Sequence, residues 1–278
     1  MRQTVLVPTD FSNNALIATV YALGLARVLD ADVHILHAYS VFTSPFQSQL
    51  ANETDGRRAK LGAEKSMRDF LEKFIDADHV TITSSIVKME VPEAISTYAS
   101  ANAISLIVMG THGTSWPRKD LLGSNTYDVA KQSEVPLLVV PENNKGFKLE
   151  RVVFFTDYQD DDIHVLNTMK DLIDIEPKSC TLVHIAKNDS EEQKKILTDW
   201  AVKLGEASEY KGLDTLLVTN REQLSVVNDT IDQLDADLCL LTLVGGRNFF
   251  EKLFHKSLAR DIILNPKVPV LLNVASKS

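Results

Sequence analysis

Short apolar segments alternate along the chain with longer segments whose apolar positions recur at the helical spacing. Residues 4–7 are a predicted strand, and the apolar positions within residues 15–26 then follow a helical period. The alternation continues, with further strands predicted at residues 33–37, 80–87, 106–109 and 135–140. Strands that alternate with helices predict a parallel sheet that is covered by helices on both faces.

Polar residues and a proline mark the ends of the predicted helices. Ser12 and Asn13 are suited to cap the first helix, and Asp30 ends it. Pro92 lies in the first turn of a later helix. Between these helices, residues 40–56 form a polar stretch that we predict as a loop, and a long amphipathic helix follows it. The apolar face of that helix carries Met67, Phe70, Leu71 and Phe74.

The pattern starts again after residues 142–148, a polar segment that we interpret as a linker. The matches are Thr9-Asp10 with Thr156-Asp157 and Leu36-His37 with Val183-His184 at an offset of 147, and Val135-Pro136 with Val268-Pro269 and Ser124 with Ser257 at an offset of 133. Matches that keep their register indicate a duplicated α/β domain. We predict domains at residues 1–142 and 149–278. The change of offset indicates a deletion in the second copy, placed most simply opposite residues 40–56.

A glycine-rich segment follows the fourth predicted strand. Residues 106–125 read L-I-V-M-G-T-H-G-T-S-W-P-R-K-D-L-L-G-S-N. Gly110 stops the apolar run, Gly113 follows it, and Gly123 leads directly into a helix-like segment. Glycines let a backbone approach a ligand closely, and a helix N-terminus presents N–H groups and a partial positive charge. The segment therefore predicts a phosphate-binding loop, with ordinary turns of an α/β sheet as the alternative.

Charge and composition argue against some classes of binding partner and indicate the compartment. The formal net charge of −9 argues against binding to nucleic acid or to an acidic membrane. We see neither a signal peptide nor an apolar run of membrane-spanning length, and so predict a cytoplasmic protein. Cys180 and Cys239 lie in apolar runs and are predicted to be buried, reduced thiols. His34 and His37, three apart on a strand, point to opposite faces and cannot share a metal ion, and we predict no metal-binding side-chain cluster.

These motifs resemble the universal stress protein family in its tandem form. The resemblance rests on V-P-T-D-F-S at residues 7–12, L-H-A at 36–38, the spaced glycines with Ser124, and V-P-L-L-V-V at 135–140. It implies an α/β fold of two tandem Rossmann-like domains (adenine nucleotide alpha hydrolase-like), each a five-stranded parallel sheet with helices on both faces. It also implies an internal pseudo-dimer in which the two fifth strands pair and cover two sheet edges.

The resemblance further implies a nucleotide site. In this family the pattern G-x2-G-x9-G-[S/T] marks members that bind ATP, which places Asp10 near the adenosine and Ala38 at the adenine. We expect Asp10 to accept hydrogen bonds from the ribose or to help hold a cation such as Mg²⁺, with helix capping as the alternative. The predicted nucleotide-binding residues are Pro8, Thr9, Asp10, Ala38, Met109, Gly110, His112, Gly113, Gly123, Ser124 and Asn125.

Two segments beside these residues allow two interpretations each. Arg118 and Lys119 lie between the second and third glycines and either offset phosphate charge or are solvated loop residues. Residues 40–56 leave the second strand beside the predicted adenine site. They are either a mobile loop or a loop that partly covers the nucleotide.

The second half departs from the motif. Leu243 stands at the position of Gly110, Lys256 at that of Gly123 and Phe155 at that of Pro8, so bulky side chains take space that phosphates need. Residues 1–148 carry 14 basic and 16 acidic residues, and residues 149–278 carry 15 and 22, so the net charges are −2 and −7. A polyphosphate is repelled more by the second half. We predict one ATP site in the chain, in the first domain.

The sequence thus predicts a stress-response sensor or regulator whose state depends on bound ATP, acting through an unknown protein partner. No residue stands out as a general base, so we expect slow hydrolysis at most and assign no catalytic residue. Two alternatives stay open. One is a genuine ATP-using enzyme of related fold, with Asp10 and His112 as candidate bases. The other is an interaction module whose two sites are vestigial. Association of two chains into a homodimer also stays open.

Overall fold

Strands and helices alternate through both halves of the chain. The computed structural model describes residues 2–41, 48–75, 79–111, 124–172, 177–220, 224–243 and 256–274. The first half contains β1 (Thr4–Pro8), α1 (Asn13–Leu29), β2 (Asp32–Tyr39), α2 (Gln49–Leu71), β3 (Ile82–Lys88), α3 (Val91–Ala101), β4 (Ile104–Gly110), α4 (Ser124–Gln132) and β5 (Leu137–Val140). The second half contains β6 (Arg151–Phe155), α5 (Asp162–Leu172), β7 (Ser179–Ala186), α6 (Glu191–Ser208), β8 (Leu213–Thr219), α7 (Leu224–Gln233), β9 (Leu238–Leu243), α8 (Lys256–Leu264) and β10 (Val270–Val274).

The strands form a single sheet in the order β3-β2-β1-β4-β5-β10-β9-β6-β7-β8. Neighbouring strands within each half are parallel, and β5 and β10 pair antiparallel with Leu138 opposite Leu271. This pairing joins two five-stranded sheets into an internal pseudo-dimer, as predicted. It satisfies the ladder hydrogen bonds of two strands that would otherwise be sheet edges.

The helices cover both faces of the sheet, and one apolar core lies on each side. The first core packs residues of α1, α2, α5 and α6 against the sheet, and the second packs residues of α3, α4, α7 and α8 against the opposite face. The predicted fold class is therefore confirmed. Cys180 and Cys239 are fully buried thiols, and burial raises the pKa of Cys180 to about 12 and that of Cys239 further, so both stay protonated near neutral pH.

Local signals fix the ends of α1 as predicted. The Ser12 hydroxyl accepts a hydrogen bond from the backbone N–H of Ala15, which satisfies one of the free donors of the first turn. Asp30 ends the helix in the left-handed conformation, with φ of 49°. Its backbone N–H donates to the carbonyl of Ala26 and so closes the last turn.

The segment that we predicted as a linker is packed against the first half. The Phe147 ring lies 5.5 Å from the ring of Tyr21 in an edge-to-face arrangement. A Cβ atom on Gly24 would approach the Cβ of Phe147 to 2.7 Å, so the absence of a side chain at Gly24 makes this contact possible. The connection between the halves therefore contributes to the core as well as joining them.

The prediction of a loop over residues 40–56 is wrong for residues 49–56, which belong to a helix. The helix α2 begins at Gln49, where the Ser48 hydroxyl accepts a hydrogen bond from the backbone N–H of Ala51. The prediction failed because this segment is mostly polar, and an exposed helix can form with few apolar positions. Residues 42–47 lie outside the described residues.

The deletion in the second copy is also more spread out than predicted. Residues 40–81 join β2 to β3, whereas residues 187–212 join β7 to β8. The helix within the connection has 23 residues in the first half and 18 in the second. The segments before and after the helix are shorter as well, so the missing residues are divided among three places.

Candidate functional site

The candidate site lies at the carboxyl ends of β1 and β4, which are neighbours in the sheet. The helix after β1 packs on one face of the sheet, and the helix after β4 packs on the other. Such a switch point opens a crevice between the two connections, and parallel α/β sheets bind ligands there. Pro8 ends β1, Gly110 ends β4, and Ala38 is the penultimate residue of the adjacent β2. The sheet topology therefore brings together residues that are far apart in sequence.

Hydrogen bonds fix the turn between β1 and α1. The hydroxyl oxygen of Thr9 accepts from the backbone N–H of Phe11 at 3.0 Å. The Asp10 carboxylate accepts from the backbone N–H of Ser12 at 3.1 Å. Because Ser12 occupies the capping position, the alternative of Asp10 as the helix cap is wrong. The half-buried Asp10 instead shapes the turn that leads into the helix.

An aromatic pair supports this turn from the neighbouring strand. The Nδ1 atom of His37 donates to the carbonyl of Thr9 at 2.7 Å, since a carbonyl oxygen only accepts. The ring of Phe11 stacks on that of His37 with centroids 4.3 Å apart. The backbone of Phe11 has a φ of 66°, a conformation that non-glycine residues adopt only where the surroundings enforce it. These contacts therefore stabilise the conformation of the turn.

Gly110 is explained by packing inside the protein. A Cβ atom at this position would lie 2.8 Å from the backbone oxygen of Asn14, in the first turn of α1. The carbonyl of Gly110 accepts a hydrogen bond from the hydroxyl of Thr126 at 3.0 Å. Thr126 is buried and lies in α4, so this bond ties the start of α4 to the end of β4. We predicted Gly110 from close approach to a ligand, and the structure shows a close approach to α1.

The remaining predicted residues divide into three groups. The Met109 side chain is buried in the core between the sheet and α4, so its side chain contributes packing. Ser124 begins α4, and Asn125 is exposed in its first turn. His112, Gly113 and Gly123 lie outside the described residues, as do Arg118 and Lys119.

The second half repeats the turn after its first strand. The Thr156 hydroxyl oxygen accepts from the backbone N–H of Tyr158 at 2.9 Å, and Nδ1 of His184 donates to the Thr156 carbonyl at 2.9 Å. The rings of Tyr158 and His184 are 4.4 Å apart and inclined at 36°, against 33° for the pair in the first half. The two turns thus share one construction.

A buried carboxylate distinguishes the second half. Asp162 is fully buried at the start of α5, at the position that Ala15 occupies in the first half. Its carboxylate accepts hydrogen bonds from the hydroxyls of Thr156 and Thr242 at 2.5 Å each and from Nε1 of Trp200 at 3.1 Å. Burial raises the pKa of Asp162 to about 6, and the three donors oppose that rise. A charge therefore stands between the ends of β6 and β9 near neutral pH.

Sequence reasoning missed several of these residues. Phe11 and Thr126 received no role of their own, and His37 was given no part in the turn after β1. The recurrence of this histidine at an offset of 147 could have indicated a structural role. In each half the histidine donates a hydrogen bond to the carbonyl of the threonine that follows the first strand. The Asp162 cluster gave no such signal, because Trp200 and Thr242 lie 38 and 80 residues away in the chain.

Within the described residues, no group of three or more histidine, cysteine, aspartate or glutamate side chains is placed to hold a metal ion. No helix there is long and apolar enough to cross a membrane.

The fold and the two related turns define a two-domain α/β protein with Rossmann-like halves. Residues 1–141 match the family described as the universal stress protein family, and the chain belongs to that family. It is 29% identical over 143 residues to one universal stress protein of Methanocaldococcus jannaschii, covering 51% of this chain and 83% of the relative. It is 28% identical over 167 residues to a second from the same organism, covering 52% and 98%.

A solved structure extends the likeness to both halves. The crystal structure of a universal stress protein from Archaeoglobus fulgidus superposes with a TM-score of 0.70 and covers 98% of each chain. Its sequence is 18% identical to this chain, so the likeness shows a shared fold. The predicted family is confirmed, and the fold of both halves recurs in that relative.

Proposed function

We propose that this protein binds ATP at the carboxyl edge of its first half and acts as a nucleotide-dependent regulator in the stress response. The observation that supports the proposal is the switch point between β1 and β4, because Asp10 follows the first of these strands and α4 follows the second. The family supplies the stress-response context.

The adenosine side of the proposed site is formed by two strand ends. Asp10 follows β1 in a rigid turn, and its carboxylate is an acceptor for the ribose hydroxyls. Ala38, near the end of β2, has a small side chain that leaves room for the flat adenine ring. We propose that Pro8 and Thr9 contribute backbone atoms between them.

The phosphate side of the proposed site is formed by the loop that leads into α4. Ser124 begins that helix, whose N-terminal N–H groups and partial positive charge suit an anion. Gly113 and Gly123 are assigned to the phosphates from their spacing in the sequence, together with His112 and Asn125. A cation such as Mg²⁺ would be held by the phosphates and by Asp10.

Regulation fits the described residues better than rapid catalysis does. A general base must be able to reach the water or hydroxyl that it activates. Asp10, the candidate base within the described residues, already accepts a hydrogen bond that shapes the turn. We therefore propose slow hydrolysis at most, in a cytoplasmic protein that acts through a protein partner.

The second half is proposed to lack a nucleotide. Leu243 and Lys256 replace the two glycines, and the buried Asp162 carboxylate adds a negative charge at the same edge of the sheet. Like charges repel strongly where water is excluded. Its proposed role is to complete the sheet of the pseudo-dimer.

The test is mass spectrometry of protein purified without added nucleotide, followed by thermal-shift titration with ATP, ADP and AMP. We expect up to one adenine nucleotide per chain and a melting temperature that rises with ATP concentration. Two equivalent sites would contradict the proposed division between halves. Absence of both nucleotide and thermal shift would favour an interaction module, and rapid phosphate release would favour an enzyme.

A further inference from the structure

A second polar cluster joins β2 to the edge strand β3 in the first half, apart from the switch point. Nδ1 of His34 lies 2.7 Å from the Thr83 hydroxyl oxygen, and Nε2 lies 2.7 Å from the Ser85 hydroxyl oxygen. His34 is in β2, whereas Thr83 and Ser85 are two residues apart in β3 and so share one face of the sheet. A serine hydroxyl at this distance from an imidazole nitrogen is the arrangement that activates a nucleophile.

The imidazole of His34 is held in position on its other sides. Its ring stacks on that of Tyr98, from α3, with centroids 4.5 Å apart and planes inclined at 16°. His34 is 6% exposed, and this burial lowers its pKa, so the ring is neutral near neutral pH. A neutral imidazole carries one N–H donor and one acceptor nitrogen. When Nδ1–H donates to Thr83, Nε2 accepts the proton of Ser85.

The two residues that carry the hydroxyls lie at an edge of the sheet. Thr83 is exposed and Ser85 is half-buried, because β3 forms one edge of the sheet. Of the two, the primary hydroxyl of Ser85 is the less hindered nucleophile. The side chain of Thr83 fixes the ring and thereby acts as a positioning residue.

The equivalent strands of the second half lack the cluster. Their register places Thr181 opposite Asp214, where the first half has His34 opposite Thr83, and Leu216 follows at the position of Ser85. The strand pair β7–β8 nevertheless forms with the same parallel register. The imidazole and its two hydroxyls are therefore dispensable for this strand pairing.

We propose that Ser85 is a reactive hydroxyl that accepts an acyl group from small activated esters or thioesters, with His34 as its general base. The Ser85 oxygen attacks the carbonyl carbon, and His34 Nε2 takes the hydroxyl proton. The bond from carbon to the leaving oxygen or sulfur then breaks, and the leaving group departs with that proton as an alcohol or thiol. The product is an ester on Ser85, with no change of oxidation state.

The experiment uses the full chain and p-nitrophenyl acetate, with acetylated peptides quantified by mass spectrometry. Ser84 is the matched internal control, because it is exposed on the same strand but points to the opposite face. General-base assistance contributes about 100-fold or more to such a step. We expect Ser85 to be acetylated about 100-fold faster than Ser84. Equal rates at the two serines would overturn the proposal.

Substitutions distinguish activation of the Ser85 hydroxyl by His34 from mere solvent exposure of that hydroxyl. We expect Ser85→Ala to abolish the fast acetylation, and Thr83→Val to slow it while Thr83→Ser restores it. The wild-type rate should fall on acidification with a midpoint below the ordinary imidazole pKa, as His34 becomes protonated. A rate at Ser85 that follows hydroxide concentration alone, without that midpoint, would show that His34 is not the base. That readout holds even if replacement of His34 prevents folding.

Discussion

The carboxyl edges of the two halves share one backbone design and differ in a few side chains. Both halves place a threonine, an aspartate and an aromatic residue after the first strand, and both fix the turn with a histidine. The first half has Ala15 where α1 starts, and the second has the buried Asp162. The two halves therefore keep the same sheet order and turn geometry although these side chains differ. If the proposed difference in ATP binding between the halves is correct, it depends on side chains that can change while the fold is kept.

The end of β4 shows how such a change is accommodated. In the first half, Asn14 of α1 packs so closely on Gly110 that a side chain would collide. In the second half Leu243 stands at that position in the sequence. At the offset of 147, the start of α1 corresponds to residue 160, but α5 begins two residues later, at Asp162. The first turn of a helix is a place where residues can unwind at small cost, because its N–H groups have no helical partners.

The largest expected effect comes from replacing Gly123, the third glycine of the first half, with the lysine that the second half has at the equivalent position. We expect Gly123→Lys to weaken ATP binding by more than about 100-fold, equivalent to about 3 kcal/mol, because the long side chain takes the place of a phosphate. Isothermal titration calorimetry measures the change, and circular dichroism checks the fold. If the folded variant still bound ATP with the wild-type affinity, Gly123 would not belong to the ATP site.

The next effect tests the buried carboxylate of the second half. The folded-state pKa of Asp162, about 6, lies above the unfolded value of about 3.9, so the folded state holds this proton more tightly. The resulting stabilisation is fully present below about pH 4 and is lost as the pH rises through about 6. We expect the unfolding free energy of the wild type relative to Asp162→Asn to fall by about 2 kcal/mol between pH 4 and 7.

Urea denaturation at a series of pH values measures this difference. Asparagine fits the site, because its oxygen can face Thr156 and Trp200 while its amide donates to Thr242. The matched control is Asp199→Asn, which removes an exposed carboxylate from α6. A parallel pH dependence for wild type and Asp162→Asn would contradict the assignment.

A third experiment separates packing from ligand binding at the end of β4. We expect Gly110→Ala to lower the unfolding free energy by about 2 kcal/mol, because the added carbon meets the Asn14 backbone at 2.8 Å. The matched change is Gly62→Ala, within α2, where nothing lies within 4 Å of an added carbon. That change should stabilise by about 0.5–1 kcal/mol. Equal effects would mean that α1 and β4 are less closely packed.

The smallest expected effect concerns the bond that ties α4 to β4. Thr126→Val keeps the shape of the side chain and removes its hydrogen bond to the Gly110 carbonyl, at a cost of about 1 kcal/mol. Thr54→Val removes a bond of the same type from the exposed surface of α2 and should change stability by less. We expect ATP affinity to fall only for Thr126→Val, because it loosens the start of α4. Thermal denaturation and calorimetry together check both statements.

Most of the fold was predictable because its signals are local. Ser12 and Asp30 bound α1 as expected, and alternating strands and helices predicted the parallel sheets. The error at residues 49–56 arose because an exposed helix has little apolar periodicity to detect. The predicted apolar face with Phe70 and Phe74 is confirmed, because both side chains are buried.

For the candidate site, the sequence indicated which residues follow the strands but not what those residues contact. Asp10 follows β1 and Gly110 ends β4, and these two strands are neighbours in the sheet. Their contacts could not be read from the sequence, because Gly110 meets Asn14 across 96 positions of the chain. The roles of these residues in binding, and of Gly113 and Gly123 beyond them, stay predictions.

The sequence by itself determined the alternation of elements, the duplication and the family, because each depends on residues that are close together or repeated in register. Only the tertiary structure decided that Phe147 packs into α1, that Gly110 is required by Asn14, and that Asp162 is buried among three donors. It also revealed the cluster of His34 with its two hydroxyls. These contacts join distant parts of the chain, and no local pattern encodes which side chains a folded sheet brings together.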